Sequence, residues 1–262
     1  MNRDSIGPRL VLFIVSSSAI AACPLPPTRA EAPARSEASA RTESKPPGTR
    51  SLAVPGFLPA LLFVPSGNDL RPLVVAAHGA GGGPEWECEY WRRLTQERRF
   101  VLCLRGKSMG QGGYYYPNEH ALEAELVAAE GALRSAEPRV SRQDGLYAGF
   151  SQGASMGSAI IAKHGASFPA LALIEGFERW NIPRARAFAK SGGKRVLFAC
   201  GTQQCNTVAN ESARWLTRGG VEARVEFVSG AGHTPAGDVM PRVEAALPWL
   251  LGATTSSQPP NE

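Results

Sequence analysis

The sequence has no run of basic residues, no nucleic-acid-binding motif and no block of like charge. It carries 28 Lys and Arg against 23 Asp and Glu, a formal net charge of +5. These charges are interspersed, which excludes a nucleic-acid partner and leaves a solvated, mildly basic surface. Among five cysteines and four histidines there is no CxxC pair and no histidine cluster, so no metal site is expected. The glycine strings lack a phosphate-loop lysine and a dinucleotide fingerprint, so no nucleotide role and no cofactor is implied. No internal repeat is visible.

What is present fits one domain of moderate size. The chain has 262 residues, 43% of them hydrophobic and 19% charged, enough for a sizeable core. Its start follows the plan of a secretory signal peptide: Arg3 and Arg9, a short apolar stretch over 10–15, then small residues over 16–22. The stretch is too short for a comfortable membrane span. Ile20-Ala21-Ala22-Cys23 resembles the lipobox of bacterial lipoproteins. That resemblance implies removal of residues 1–22 and a diacylglycerol on the Cys23 thiol. The expected location is the bacterial cell envelope, with the protein membrane-anchored and facing the periplasm or exterior. A plain signal peptide with an incidental cysteine is the alternative.

Residues 23–51 are rich in Pro, Ala, Ser, Arg and Glu and read as a disordered tether, because such a segment buries too little to offset its ordering entropy. Residues 253–262 read as a similar tail, and 52–252 as the folded domain. Without Cys23 four cysteines remain. An exported compartment permits disulfides. Cys200 and Cys205 are close enough in sequence to staple one loop, and Cys88 and Cys103 would then pair. Reduced core cysteines are the other option.

Within the domain, strands and helices alternate. Segments 73–77, 100–104, 145–150, 170–174, 195–200 and 223–228 predict strands, with 73–77 a short apolar run. Segments 85–96, 119–136, 153–164, 206–218 and 239–251 predict helices. Alternation with fully apolar strands implies a mostly parallel sheet covered on both faces.

Gly149-Phe150-Ser151-Gln152-Gly153 stands between a predicted strand and a predicted helix. This Gly-x-Ser-x-Gly turn lifts a serine hydroxyl above a sheet edge. After an earlier strand comes His78-Gly79-Ala80-Gly81-Gly82-Gly83, and after the last strand Gly230-Ala231-Gly232-His233. The order resembles that of the α/β-hydrolase superfamily over most of 60–251, nearest to compact carboxylesterases and dienelactone-hydrolase-like enzymes. The resemblance implies an α/β-hydrolase fold with Ser151 as nucleophile and His233 as base. Backbone N–H groups of Gln152 and Ala80 would form the oxyanion hole, with His78 structural. The substrate would be a small or polymeric carboxylic ester or thioester. Too few residues lie between 174 and 195 for a large cap. Residues 110–117 and Trp86, Trp91 and Trp180 are candidate rim groups.

The pattern departs from the family at the acid. Its usual place, Gly-x-x-Asp, reads Gly201-Thr202-Gln203-Gln204. In some hydrolases of this superfamily the acid follows the preceding strand, which here runs into Glu175. Glu175 is therefore the candidate acid, with Glu178 in reserve and Gln204 as an uncharged substitute. Asp238 is expected to cap the last helix. The absent aspartate also motivates a second reading, a non-catalytic or weakly active lipoprotein that keeps the fold for binding. Acyl transfer to an acceptor other than water is a third.

Overall fold

A computed structural model describes residues 48–110 and 112–252. Cys23, the predicted signal peptide, most of the predicted tether and the tail lie outside the described residues.

Eight strands form one sheet. In chain order these are β1 (Thr49–Leu52), β2 (Ala60–Phe63), β3 (Leu73–Ala77), β4 (Phe100–Cys103), β7 (Leu146–Phe150), β8 (Ala170–Ile174), β9 (Arg195–Cys200) and β10 (Glu222–Phe227). Between β4 and β7 the chain makes a separate two-stranded hairpin, β5 (Lys107–Ser108) and β6 (Tyr114–Tyr115). The sheet order is β1-β2-β4-β3-β7-β8-β9-β10. β2 runs antiparallel to both neighbours, and the six strands from β4 to β10 run parallel.

The helices are α1 (Pro84–Leu94), α2 (Glu119–Ala136), α3 (Gln152–Ile160), α4 (Ile182–Ser191), α5 (Gln203–Arg218) and α6 (Val239–Leu250). Alternate strand residues feed two separate cores, as the two-residue period of a strand requires. Leu73, Val75 and Ala77 belong to one core, with Leu122, Leu126 and Leu133 of α2, Ala154 of α3 and Leu216 of α5. Val74 and Ala76 belong to the other, with Trp91 of α1 and Val243 and Leu250 of α6. Both faces of the sheet are thus covered, which is why β3, β7 and β8 are apolar almost without interruption.

β2, β5 and β6 lie outside the expected strands, and four further details depart from the expectations. β1 starts at Thr49, inside the stretch assigned to the tether, because it gains an antiparallel partner in β2. α4 occupies the segment between β8 and β9; Asn181 caps it by accepting from the Arg184 N–H at 2.9 Å, with Pro183 in its first turn. α5 starts at Gln203 rather than Asn206, because the Thr202 hydroxyl accepts from the Cys205 N–H. Asp238 occupies the N-cap position of α6 but makes no side-chain capping bond, so it is not the cap expected of it. Its backbone is helical there, at φ −71° and ψ −11°, and not the extended form that aims a cap oxygen at the next turn.

Both expected disulfides are present, Cys88–Cys103 and Cys200–Cys205. Cys88–Cys103 ties α1 to β4, and both of its residues are buried. Bridging residues 15 apart removes chain entropy from the unfolded state worth about 3 kcal/mol. The paired replacement Cys88→Ser with Cys103→Ser should lower unfolding stability by about that amount. Turnover per folded molecule should be unchanged, as denaturant titration beside an activity assay would show.

Glu87 faces the core from α1, nearly inaccessible to water, and its Oε2 has no hydrogen-bond partner. Burial pushes its carboxyl well above the ordinary 4.5, so the folded protein holds that proton where the unfolded chain has lost it. The stability this proton contributes is whole below pH 4.5 and falls as pH rises toward the raised value. Glu87→Gln removes that dependence. Its stability relative to wild type should therefore increase between pH 5 and pH 8; a constant difference would contradict an uncharged Glu87.

Candidate active site

The site lies at the carboxyl ends of β7, β8 and β9. β7 ends at Phe150, and Ser151 turns the chain into α3 at φ 50° and ψ −111°, a backbone conformation rare for a residue with a side chain. The turn is held by Ser151 N–H donating to Ile174 O at 2.9 Å and Gly153 N–H donating to His78 O at 3.1 Å. Its glycines are sterically required. A Cβ at Gly149 would lie 2.6 Å from Ala154, and one at Gly153 would lie 2.0 Å from Ala77 O.

The three residues singled out from the sequence meet here. His233 Nε2 stands 2.8 Å from Ser151 Oγ, and His233 Nδ1 stands 3.1 Å from Glu175 Oε2. With Nδ1 protonated, the imidazole donates to the carboxylate and leaves Nε2 free to accept the serine proton. The Glu175 side chain is 1% exposed and that of His233 is 54% exposed. The carboxylate end of the chain of bonds is therefore shielded while the serine end faces outward.

Glu175 directly follows β8 and sits at φ 49°. Its N–H donates to Ala199 O at 2.9 Å. Its carboxylate accepts from the Gly201 N–H, from the Thr202 N–H at 2.9 Å and from the Thr202 hydroxyl at 3.1 Å. The His233 loop rests on the same turn through Gly232 N–H donating to Gly201 O at 3.1 Å. Neither other acid candidate reaches the histidine. Glu178 is exposed and pairs with Arg184 at 2.9 Å. Gln204 is exposed, lines a neighbouring cavity and makes no bond to His233.

The glycine loop after β3 is built against the β5–β6 hairpin. Gly81 N–H donates to Tyr114 O at 2.8 Å, Tyr114 N–H donates to Gly82 O at 2.7 Å, and Gly82 N–H donates to Gly79 O at 3.0 Å. Among the described residues the Ala80 N–H has no such partner. Gln152 is the first residue of α3, so its N–H has no carbonyl one turn back. The Gln152 side chain accepts from the Tyr116 N–H at 2.8 Å, which fastens the start of α3 to the hairpin.

His78 is buried between two carbonyls, Gly79 O at 2.7 Å and Arg105 O at 2.9 Å. Burial lowers its pKa, against the two carbonyls, which favour the charged ring. Of the candidate rim groups, Trp91, Trp180 and Tyr116 are core residues, whereas Trp86 is half-buried and packs edge-on against Phe150 at 5.9 Å. A cavity of about 260 Å³ opens beside His233, with Ser155, Phe177, Gln204 and Val208 in its wall. Glu175, Cys200 and Cys205 come close enough together to resemble a metal-binding group. Both sulfurs are spent in the disulfide and the carboxylate is filled by N–H and O–H donors, so the cluster offers no thiolate and no free charge.

Sequence reasoning missed the roles of Gly201, Thr202 and the Gln152 side chain. A capping threonine ahead of α5 was the available signal for Thr202; nothing local pointed to the others.

No family model matches the chain, and no curated protein matches its sequence. Solved structures do. The thermophilic carboxylesterase EstE1, cloned from a metagenomic library, is 16% identical, with 80% of this chain and 90% of that chain covered at a TM-score of 0.60. A carboxylesterase from Mesorhizobium loti is 17% identical, covering 76% and 98% at 0.57. A phospholipase/carboxylesterase from Dyadobacter fermentans DSM 18053 is 17% identical, covering 71% and 95% at 0.51. Together with the strand order and the absence of a large cap among the described residues, these likenesses show that the chain has the α/β-hydrolase fold.

Proposed function

We propose that this protein is a serine hydrolase that cleaves a carboxylic ester or thioester through an acyl-enzyme on Ser151. The observation that carries the reading is the unbroken line from Glu175 Oε2 through His233 to Ser151 Oγ. His233 Nε2 takes the hydroxyl proton as Oγ attacks the ester carbonyl. Negative charge develops on the carbonyl oxygen, where the unpaired N–H groups of Ala80 and Gln152 are the available donors. His233 then returns the proton to the leaving alcohol or thiol, and water repeats the sequence to release the acid. Glu175 fixes the proton on Nδ1 and stabilises the imidazolium in both halves. The same reading is supported by the names of the structural neighbours, which are esterases and carboxylesterases.

The test is a panel of p-nitrophenyl esters of increasing acyl length, with Ser151→Ala as the blank. Hydrolysis by wild type alone supports the reading. Equal rates for both proteins refute it.

We also propose that residues 1–22 are a signal peptide and that Cys23 carries lipid, placing the domain on the cell envelope, facing the periplasm or exterior. Two disulfides suit that compartment. Among the described residues no helix is long and apolar enough to cross a membrane. Each buried methylene contributes about 0.8 kcal/mol, and two or more acyl chains give stable attachment. Cys23→Ser should therefore move the protein from the membrane pellet to the soluble fraction, or block its processing. Normal processing with unchanged pelleting would refute the anchor.

A further inference from the structure

We propose that Thr202 is a positioning residue for the Glu175–His233 pair, and that the Cys200–Cys205 disulfide holds it in that role. The proposal rests on the esterase reading of the site. A carboxylate presents about four lone-pair positions. Here each oxygen of Glu175 receives two donors. Oε1 accepts from the Gly201 and Thr202 N–H groups, and Oε2 accepts from the Thr202 hydroxyl at 3.1 Å and His233 Nδ1–H at 3.1 Å. Three of the four donors come from two consecutive residues on the neighbouring strand end, so the carboxylate goes where that turn goes.

The turn is bracketed by half-cystines. Cys200 ends β9, Cys205 lies in the first turn of α5, and the bridge closes the segment between them. The Cys205 N–H donates to Thr202 Oγ1 at 3.2 Å. That bond occupies the acceptor side of the hydroxyl and leaves its proton to point at Glu175 Oε2. A relay thus runs from Cys205 N–H through the Thr202 hydroxyl to the oxygen that orients His233. Serine can reproduce it; valine cannot. The arrangement also explains how an acid on β8 serves a histidine that follows β10. β9 lies between them in the sheet, and its carboxyl end supplies the donors that turn the carboxylate toward the histidine.

The competing role for Thr202 is a plain helix cap, which would affect stability without regard to Glu175. A double-mutant cycle separates the two. Thr202→Val should lower kcat about tenfold with KM little changed, the size expected for a lost bond to a charged group. Thr202→Ser should recover most of the rate. In the Glu175→Gln background Thr202→Val should cause no further loss. Paired Cys200→Ser and Cys205→Ser should lower kcat as Thr202→Val does, whereas the Cys88 and Cys103 pair should not. A second readout needs no turnover. In the Ser151→Ala protein, the His233 Nδ1–H resonance, protected from exchange by Glu175, should persist with Thr202→Ser and be lost with Thr202→Val. Absence of ester hydrolysis by wild type would refute the esterase reading and leave the resonance to decide the role of Thr202. An unchanged kcat in Thr202→Val, an equal loss in both backgrounds, or a resonance that survives Thr202→Val would overturn the proposal.

Discussion

Ser151→Ala should lower kcat for ester hydrolysis by about 10⁶-fold, leaving only what bound water achieves with the N–H groups of Ala80 and Gln152. The size follows from the role. Without Oγ there is no acyl-enzyme, and His233 Nε2 loses the partner that stands 2.8 Å away. KM should change little, because the substitution removes a single oxygen and leaves the lining of the cavity beside His233 intact. The fold should survive, since the turn is held by backbone bonds of Ser151 and Gly153 and by the close approach of Gly149 and Gly153 to their neighbours. A circular dichroism spectrum equal to that of wild type, beside the loss of turnover, is the expected pair of results. A residual rate within tenfold of wild type would move the nucleophile elsewhere.

Glu175→Gln should lower kcat by about 10⁴-fold. Glutamine keeps the shape and can still accept, but it brings no charge to stabilise the imidazolium. Its NH₂ group would also face donors. The Gly201 and Thr202 N–H groups point at one oxygen and His233 Nδ1 and the Thr202 hydroxyl at the other, so either orientation of the amide sets donor against donor. Gln204→Ala, by contrast, should leave kcat within a few-fold of wild type, because Gln204 makes no bond to the histidine. Near-normal kcat in folded Glu175→Gln, with loss in Gln204→Ala, would reverse the assignment.

The sheet was legible because burial on both faces leaves unbroken apolar strands: Leu73 to Ala77 and Ala170 to Ile174 announce themselves without any partner being known. β1 was not, since Thr49, Arg50 and Ser51 are polar and become a strand only through their pairing with β2. The short β5 and β6 were hidden for the same reason. They exist because the glycine loop needs the backbone of Tyr114 against it. At the site, Ser151 and His233 could be read from local sequence, one from its flanking glycines and the other from its place after the last strand. Glu175 could be reached only by position, as the first residue beyond β8. The feature that makes it credible, a shell of donors from Gly201 and Thr202, joins residues 26 and 27 positions away and leaves no local pattern. The ground for a purely binding role was an absent carboxylate at Gln204, and Glu175 at 3.1 Å from His233 removes that ground.

Covalent trapping tests the nucleophilic role of Ser151 most directly. The folded protein is incubated with a fluorophosphonate, digested and analysed by mass spectrometry. One stoichiometric adduct is expected on the peptide containing Ser151, absent from Ser151→Ala and formed far more slowly in Glu175→Gln. An adduct on another residue, or no adduct while an ester is being hydrolysed, would contradict it.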